Sequence, residues 1–468
     1  TLEVPQTWNG RDELEISPSI SNRAEMKSKG AGDLNYSWTV SGIATINKTE
    51  AGKLVLKRAQ NSGVLTVGLA LDNGGETVTH SAKITVAEPK DNAWVVRTTS
   101  TDQKPVDHQF YARDEKGQGT LHYRGALKEP ADSVFLRLYA GDKLIDTQRQ
   151  KIGADKKYAL SASLQAGLTA YRTEFGIKRG GVETILEKAN DLVCGDVFVI
   201  QGQSNAEAWT DKRIVHPYRS PWLRSFGTPS TNKDRARDAV WGNALSFNGG
   251  QNHHHFQIGY WGVELGKLLI EKHKIPICFI NGAQGGTRVD QHQRNEADPT
   301  DVATIYGRLL WRLQQARLTH GVRAVLWHQG ENDMFVKEFM PHYGRNLANF
   351  LKHIRHDLGV PELKFYIGEL CTKTIWGMDL RPRMHAISLG QKEVASNDPL
   401  ATYVPTSHVG VEIGSPVGLH YHYGTLGQLE HGVNYADAYL EDIGMEPETA
   451  NLLPVWPYPK EQPINLFI

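Results

Sequence analysis

The 468-residue sequence has few cysteines, no net charge and no long apolar run. Its 52 basic residues balance its 52 acidic residues, which argues against nucleic acid or an acidic membrane surface as a partner. No apolar run approaches the roughly 20 residues that span a bilayer, so no membrane span is predicted. The sequence starts at Thr1 without an apolar leader, which we interpret as a signal peptide already removed or never included.

The three cysteines, Cys194, Cys278 and Cys371, are too far apart to form a metal-binding motif. Each lies in or beside an apolar run, which favours buried free thiols; a Cys194–Cys371 disulfide is the alternative. The consecutive histidines 253–255 raise the question of a metal site. Because successive side chains of a strand point in different directions, one metal rarely binds all three. The sequence therefore predicts neither a metal nor another cofactor.

The N-terminal part consists of short alternating segments separated by Gly, Asn and Asp, which is typical of β-sandwiches. Residues 1–90 contain candidate strands at 35–40, 52–57, 63–70 and 77–86, and resemble an immunoglobulin-like module. Residues 91–192 contain further candidate strands at 133–139, 143–146, 157–164 and 171–177. We predict two β-sandwich modules, with a hinge near Pro89.

From residue 193 onward, apolar runs alternate with helical periodicity, which predicts an α/β domain over residues 193–468. The runs at 197–200, 277–280, 324–327, 365–370 and 402–404 read as strands buried on both faces of a largely parallel sheet. Helices are expected over 258–273, 302–316, 343–354 and 424–443. Gly359 and Pro361 should end the third of these helices.

Polar or glycine-rich segments follow these predicted strands. They are Gly-Gln-Ser-Asn at 202–205, residues 281–287, residues 328–333, and, past the last strand, His408 with the histidine-rich residues 418–424. Because open α/β sheets bind ligands beyond the carboxyl ends of their strands, we expect the four segments to converge. A serine, accessible backbone amides, a carboxamide and a histidine are the groups that acyl transfer requires. The alternative for Ser204 is a helix N-cap.

The ordered set Gly-Gln-Ser-Asn, Gly-Gly-Thr, Gln-Gly-Glu and a C-terminal histidine resembles the SGNH (GDSL-like) hydrolases. Within them it is most similar to the sialate O-acetylesterase and acetylxylan esterase branch, over residues 193–445. The resemblance implies a three-layer α/β/α flavodoxin-like hydrolase domain, here preceded by the two β-sandwich modules. It also implies a secreted, periplasmic or cell-surface serine esterase that removes O-acetyl or similar small acyl groups from an acetylated glycan through an acyl-enzyme. The alternatives are a non-catalytic glycan-binding protein on a degenerate scaffold, and a lipid or thioester hydrolase.

The resemblance assigns roles to individual residues. Ser204 is the nucleophile, and its own amide is one oxyanion donor. Gly285 supplies a second donor, with Gly286 as the alternative. Gln329 supplies the third, unless it is a loop-bracing side chain. The residues expected to contact substrate are Asn205, Trp241, Arg288 and Glu331, although Arg288 could instead form a surface ion pair with Asp290.

The catalytic base is expected to be His422, with His420 as the alternative register. The aspartate that the family places three residues before this histidine is missing, since Leu419 or Val417 stands there. That residue orients the imidazole, and its loss is costly in a full triad. Three substitutes are open: another carboxylate (Glu412 or Asp333), a carbonyl oxygen that accepts the Nδ1 proton, or a catalytic dyad.

Overall fold

The computed structural model describes residues 1–10, 12–42, 45–50, 52–59, 63–87, 103–208, 215–246, 255–370, 374–375, 378–406 and 422–447. The chain divides into two compact units, Thr1–Asn92 and Ala93–Ile468. Within the described ranges, no helix combines the length and apolar character needed to cross a membrane. Cys194 and Cys278 are buried free thiols, as predicted, whereas Cys371 lies outside the described residues.

The secondary-structure elements are numbered here in chain order. The described strands are β1 (Thr7–Trp8), β2 (Leu14–Ile16), β3 (Asn35–Gly42), β4 (Thr45–Glu50), β5 (Lys53–Ala59), β6 (Gly63–Asp72), β7 (Val78–Val86), β8 (Phe110–Ala112), β9 (Gln118–Ala126), β10 (Ser133–Ala140), β11 (Lys143–Lys151), β12 (Lys157–Gln165), β13 (Tyr171–Arg179), β14 (Val182–Gly202), β15 (Leu223–Phe226), β16 (Trp241–Asn243), β17 (Ile277–Asn281), β18 (Val322–His328), β19 (Lys364–Gly368), β20 (Thr374–Ile375), β21 (Met378–Asp379) and β22 (Ala401–Val404). The described α-helices are α1 (Arg23–Ser28), α2 (Lys233–Ala236), α3 (Tyr260–His273), α4 (Ile305–Gln315), α5 (Tyr343–Leu358), α6 (Arg381–Asn397) and α7 (Thr425–Asp442). Short 3-10 helices cover Val289–His292, Thr319–Gly321, Asp333–Phe335 and Met340–His342.

The described strands of the N-terminal unit form two sheets, with strand orders β1-β7-β6-β3 and β2-β5-β4. Their inward side chains share one core, to which β2 contributes Ile16, β5 Leu56, β6 Val67 and β7 Ile84. Residues along β6 alternate between buried and less buried, as expected for a strand with one face on a core. The immunoglobulin-like and β-sandwich assignments for this part of the chain stay predictions.

β14 is the longest strand described and belongs to two kinds of sheet. Its first half pairs antiparallel with β13, from Val182 to Leu192, and continues the order β11-β10-β13-β14. Its last residues pair in parallel with β17 and β18. The predicted boundary at residue 192 therefore lies inside one continuous strand. The division into three domains stays a prediction.

The C-terminal part contains a parallel sheet of order β15-β17-β14-β18-β19-β22, and β16 adds an antiparallel edge to β15. Val197 and Val199 of β14 pack into a core shared with α4, α5 and α6, whereas Phe198 and Ile200 pack into a core with α3 and α7. This alternation follows from the two-residue period of a strand. Both faces of the sheet are covered, so this part has the predicted α/β architecture.

The sheet has a topological switch point at β14. The chain places β17 on one side of β14 and the later strand β18 on the other. Loops that leave these neighbouring strands diverge, and a crevice forms beyond the carboxyl end of the central strand. Ser204 follows directly after that end.

Candidate active site

The loop after β14 begins at a glycine that no other residue could replace without a clash. Gly202 has a φ of 142°, and a Cβ on it would lie 2.0 Å from the His328 carbonyl oxygen of β18. Residues 203–208 then form turns, with the Glu207 amide donating to the Gln203 carbonyl oxygen at 2.8 Å. The N-cap alternative for Ser204 stays open, since the residues at 209–214 that would continue a helix lie outside the described ranges. Ser204 retains 8% of its surface exposed.

Gly285, from the loop after β17, lies directly beside Ser204. A Cβ on Gly285 would be 3.6 Å from the Ser204 Cβ. The Gly285 amide, predicted as an oxyanion donor, donates to Glu207 Oε2 at 2.8 Å. Burial raises the pKa of Glu207 to about 7, although the Gly285 hydrogen bond opposes this. The next residue, Gly286, has a φ of 73°, which fits the tight turn expected there.

Gln329, from the loop after β18, is fully buried and braces that loop. Its side-chain nitrogen lies 3.0 Å from the Thr287 carbonyl oxygen, 2.5 Å from Asp333 Oδ2 and 3.2 Å from Gln203 Oε1. These contacts fit the loop-bracing alternative, and the role of oxyanion donor stays a prediction. Burial raises the pKa of Asp333 to about 6, against the hydrogen bonds from Gln329 and the Val289 amide.

Asn205 and Glu331, both predicted to contact substrate, are buried and bonded to each other. Asn205 Nδ2 donates to Glu331 Oε1 at 2.7 Å. Burial alone would raise the pKa of Glu331, but the charge of His328 and hydrogen bonds from His328 and Asn205 outweigh it and lower the pKa. Both side chains therefore lie within the protein's internal hydrogen-bond network.

The segment that carries the predicted base reaches the same place. The Tyr423 amide donates to Asn205 Oδ1 at 3.2 Å, so the residue after His422 is bonded to the residue after Ser204. His422 is half-buried. His420, Glu412, Leu419 and Val417 lie outside the described residues, so the choice of register and the third member of the triad stay predictions.

The two other predicted substrate contacts, Arg288 and Trp241, interact with other side chains of the protein. Arg288 forms a two-point ion pair with Asp290, at 2.9 and 3.1 Å, and its guanidinium lies 4.3 Å from the centre of the Phe339 ring. This is the ion pair given above as the alternative. Trp241 lies in β16, three strands away from β14, and packs against Phe226. Contact of either residue with substrate stays a prediction.

The histidine run 253–255 is described only at its last residue, where His255 Nε2 lies 2.8 Å from Asp238 Oδ2. Over the described ranges, no three His, Cys, Asp or Glu side chains are grouped so that they could hold a metal ion. His253 and His254 lie outside those ranges.

Several residues of the site were not predicted from the sequence. Glu207 contacts a glycine 78 positions further along the chain, and no spacing rule signals such a pair. Gln203 accepts hydrogen bonds from the Gly330 and Asn332 amides, both at 3.2 Å. For His328, the only sequence signal is its place among several polar residues that follow a predicted strand.

Comparison with known proteins identifies the family. The model of the family described as carbohydrate esterase, sialic acid-specific acetylesterase matches residues 194–441, more than half of the chain. The chain therefore belongs to this carbohydrate esterase family. The resemblance drawn from the four sequence segments is confirmed.

Individual relatives are distant. A probable carbohydrate esterase of Arabidopsis thaliana is 26% identical over 178 residues, which cover 38% of this chain and 60% of that protein. The chain thus spans about 60% of the length of this curated relative. An Arabidopsis crystal structure matches with a TM-score of 0.42 and 20% identity, covering 53% of this chain and 98% of that one. A carbohydrate acetylesterase from Xanthomonas citri matches with a TM-score of 0.47 and 17% identity, covering 74% and 75%.

Proposed function

We propose that this protein is a serine esterase that removes O-acetyl or similar small acyl groups from a carbohydrate through an acyl-enzyme. One observation carries the proposal: three chain segments meet around Ser204 at the carboxyl end of β14. Gly285 lies beside the Ser204 side chain, and the Tyr423 amide brings the segment with His422 onto Asn205. Membership of the carbohydrate esterase family supports the reaction class and a glycan substrate. A secreted, periplasmic or cell-surface location is part of the proposal.

In the proposed reaction, Ser204 Oγ attacks the ester carbonyl carbon while His422 accepts the hydroxyl proton. The tetrahedral intermediate collapses, the bond to the sugar oxygen breaks, and His422 returns the proton to that oxygen. Water, deprotonated by His422, then attacks the acyl carbon, and the bond from that carbon to Ser204 Oγ breaks. His422 returns the proton to Ser204 Oγ, which restores the free serine and releases the acyl group as a carboxylate.

Two of the three proposed oxyanion donors, Gly285 and Gln329, already donate hydrogen bonds to acceptors within the protein. The Ser204 amide is the first proposed donor. The Gly285 amide becomes available when the substrate oxygen replaces Glu207 as its acceptor, and Gln329 must likewise release one of its present acceptors. Donors aimed at the developing charge typically contribute about 3–4 kcal/mol each to transition-state stabilisation.

The test is hydrolysis of a chromogenic acetate ester, followed by acetate release from acetylated glycans. Ser204→Ala should lower kcat by at least about 1,000-fold, because the nucleophile is lost. Ser225→Ala is the matched control, since Ser225 is a buried serine in β15. It should retain the wild-type rate. Equal rates for wild type and Ser204→Ala would refute the esterase proposal.

A non-catalytic glycan-binding protein is the second candidate. The observation that favours it is the occupation of two expected oxyanion donors by Glu207 and Asp333, together with the missing family aspartate. This candidate predicts that calorimetry detects glycan binding by wild type and by Ser204→Ala alike, without acetate release from either.

A further inference from the structure

Four buried side chains next to Ser204 form a closed ring of polar contacts. Asn205 Nδ2 donates to Glu331 Oε1 at 2.7 Å, and the same carboxylate oxygen lies 3.3 Å from His328 Nε2. His328 Nε2 lies 3.0 Å from the Tyr423 hydroxyl. The Tyr423 amide closes the ring by donating to Asn205 Oδ1 at 3.2 Å.

We propose that this ring positions His422 for catalysis by fixing the backbone of its segment against the residue that follows Ser204. The inference rests on the proposed function, because it needs Ser204 as nucleophile and His422 as base. The ring members are positioning residues, since they act through His422 and not on the reacting carbonyl. In a full triad, the third residue holds the imidazole in its working orientation.

The ring is connected to both reacting residues through the backbone. Asn205 directly follows Ser204, and Tyr423 directly follows His422. The bond from the Tyr423 amide to Asn205 Oδ1 therefore fixes the two segments against each other within one residue of each reacting group. A change in this bond would shift His422 relative to Ser204.

The ring is also rigid for electrostatic reasons. Asn205, His328 and Tyr423 are fully buried, and Glu331 is 1% exposed. Hydrogen bonds between such groups are stronger than in water, and an unpaired buried polar group is costly. A side chain that left the ring would strand a charged or polar partner away from water.

Two further anchors hold the ring against the rest of the fold. Trp261 of α3 donates from its indole nitrogen to the Asn205 and Ala206 carbonyl oxygens, at 3.1 and 3.0 Å. The His328 ring lies 4.6 Å from the ring of His431, which belongs to α7. α3 and α7 therefore both contact the ring or its backbone.

The first test compares Asn205→Ala and Tyr423→Phe with the control Tyr435→Phe. Tyr435 is also fully buried, also lies in the C-terminal segment, and donates its hydroxyl to the Trp327 carbonyl oxygen at 2.6 Å. Because a displacement of about 1 Å can cost about 100-fold in rate, Asn205→Ala should lower kcat by about that factor with KM unchanged. Tyr423→Phe should lower kcat less, since it keeps the amide bond, and Tyr435→Phe should retain the wild-type kcat.

Melting curves of the variants establish that each is folded under the assay conditions. The proposal is overturned if both ring variants keep the wild-type kcat, or if Tyr435→Phe loses as much activity as they do. A rise in KM with kcat unchanged would also overturn it, because that result would assign Asn205 to substrate binding.

A second test does not depend on catalysis. Hydrogen exchange at the Tyr423 amide, measured by NMR, should be faster in Asn205→Ala than in wild type, and unchanged in Tyr435→Phe. Retained protection in Asn205→Ala overturns the ring alone, whatever the activity. If the wild type releases no acetate, the proposed function is overturned. Faster exchange in Asn205→Ala would then still show that the ring holds the Tyr423 amide, but the ring would have no catalytic role.

Discussion

Glu207 follows Ser204 by three residues, and its carboxyl group is buried against the Gly285 amide. Burial favours the neutral form of a carboxyl group, whereas the amide donor favours the anion. Burial has the larger effect, and the pKa of Glu207 rises to about 7. A buried group that changes its charge near neutral pH makes the protein's stability depend on pH.

The direction of this dependence follows from proton linkage. Between the usual pKa of 4.5 and the raised value of about 7, the folded protein binds more protons at Glu207 than the unfolded chain does. The free energy of unfolding should therefore fall by up to about 3 kcal/mol as pH rises through this window, and stay level outside it. Glu207→Gln, which keeps an acceptor for Gly285, should lack this decrease.

The measurement is urea denaturation of both proteins from pH 4 to pH 8. Asp333 also has a raised pKa, but it is present in both proteins, so its effect cancels in the difference. A difference between wild type and Glu207→Gln that does not change with pH would contradict the assignment.

The choice between the two candidate histidines is also a question at the scale of single residues. His422→Ala should lower kcat by at least about 100-fold, because general acid–base catalysis contributes that much or more. His420→Ala should have a much smaller effect. Rates of acetate ester hydrolysis for the two variants decide the matter, and the reverse order would move the base to His420 without changing the reaction class.

At the scale of elements, a buried ion cluster connects the segment before β9 to the parallel sheet. Asp196 of β14 accepts two hydrogen bonds from Arg113, at 2.8 and 2.9 Å, and one from Arg323 of β18 at 2.9 Å. Burial opposes ionisation, but the charges of Arg113 and Arg323 hold the pKa of Asp196 well below its usual range. The carboxylate is therefore charged at neutral pH and is shared between two cations.

Asp196→Asn should reduce the free energy of unfolding by about 3–5 kcal/mol, the range found when one partner of a buried ion pair is removed. The control is Asp142→Asn, because Asp142 is an exposed carboxylate between β10 and β11. Chemical denaturation at pH 7 measures both. Equal stabilities of the two variants would show that the cluster adds nothing to the fold.

The elements that could be predicted are those with strong local patterns. The helix expected over 343–354 is α5, and Gly359 ends it in the left-handed conformation, as its glycine predicted. The helix expected over 258–273 corresponds to α3.

α6 was not predicted, since its buried face includes Ser388 and Gln391 and so lacks a continuous apolar stripe. The first half of β14 is largely exposed and charged, so its continuity with the buried half was hidden.

In the site as well, the sequence predicts what strand order determines and does not predict what depends on tertiary packing. The positions of Ser204, Gly285 and Gln329 at one edge of the sheet follow from strand order, and the structure brings these residues together. Their hydrogen-bond partners do not follow from it. The acceptor Glu207 comes from a turn and the acceptor Asp333 from a short 3-10 helix. The geometry of both segments depends on packing, and a linear pattern does not encode it.

At the scale of the whole molecule, the chain consists of the units Thr1–Asn92 and Ala93–Ile468. The N-terminal unit has its own core, built from side chains of both its sheets. All the site residues discussed above lie in the second unit. A unit with its own hydrophobic core can in principle fold alone.

A protein that starts at Ala93 should therefore fold and hydrolyse a chromogenic acetate ester with the wild-type kcat. Circular dichroism and ester hydrolysis test this expectation, with the full chain as control. A large loss of helical signal, or of kcat, would show that the N-terminal unit is needed for the fold or the site.

Because β14 pairs in two sheets, it limits where segments of this chain can be exchanged with those of related proteins. A crossover near residue 192 would join two half-strands that evolved beside different neighbours, and both sheets would inherit the mismatch. Chimaeras should instead exchange everything from Ala93 onward as one block. Since the β-rich segment shares β14 with the parallel sheet, exchangeable accessory modules in this chain are expected only upstream of Ala93.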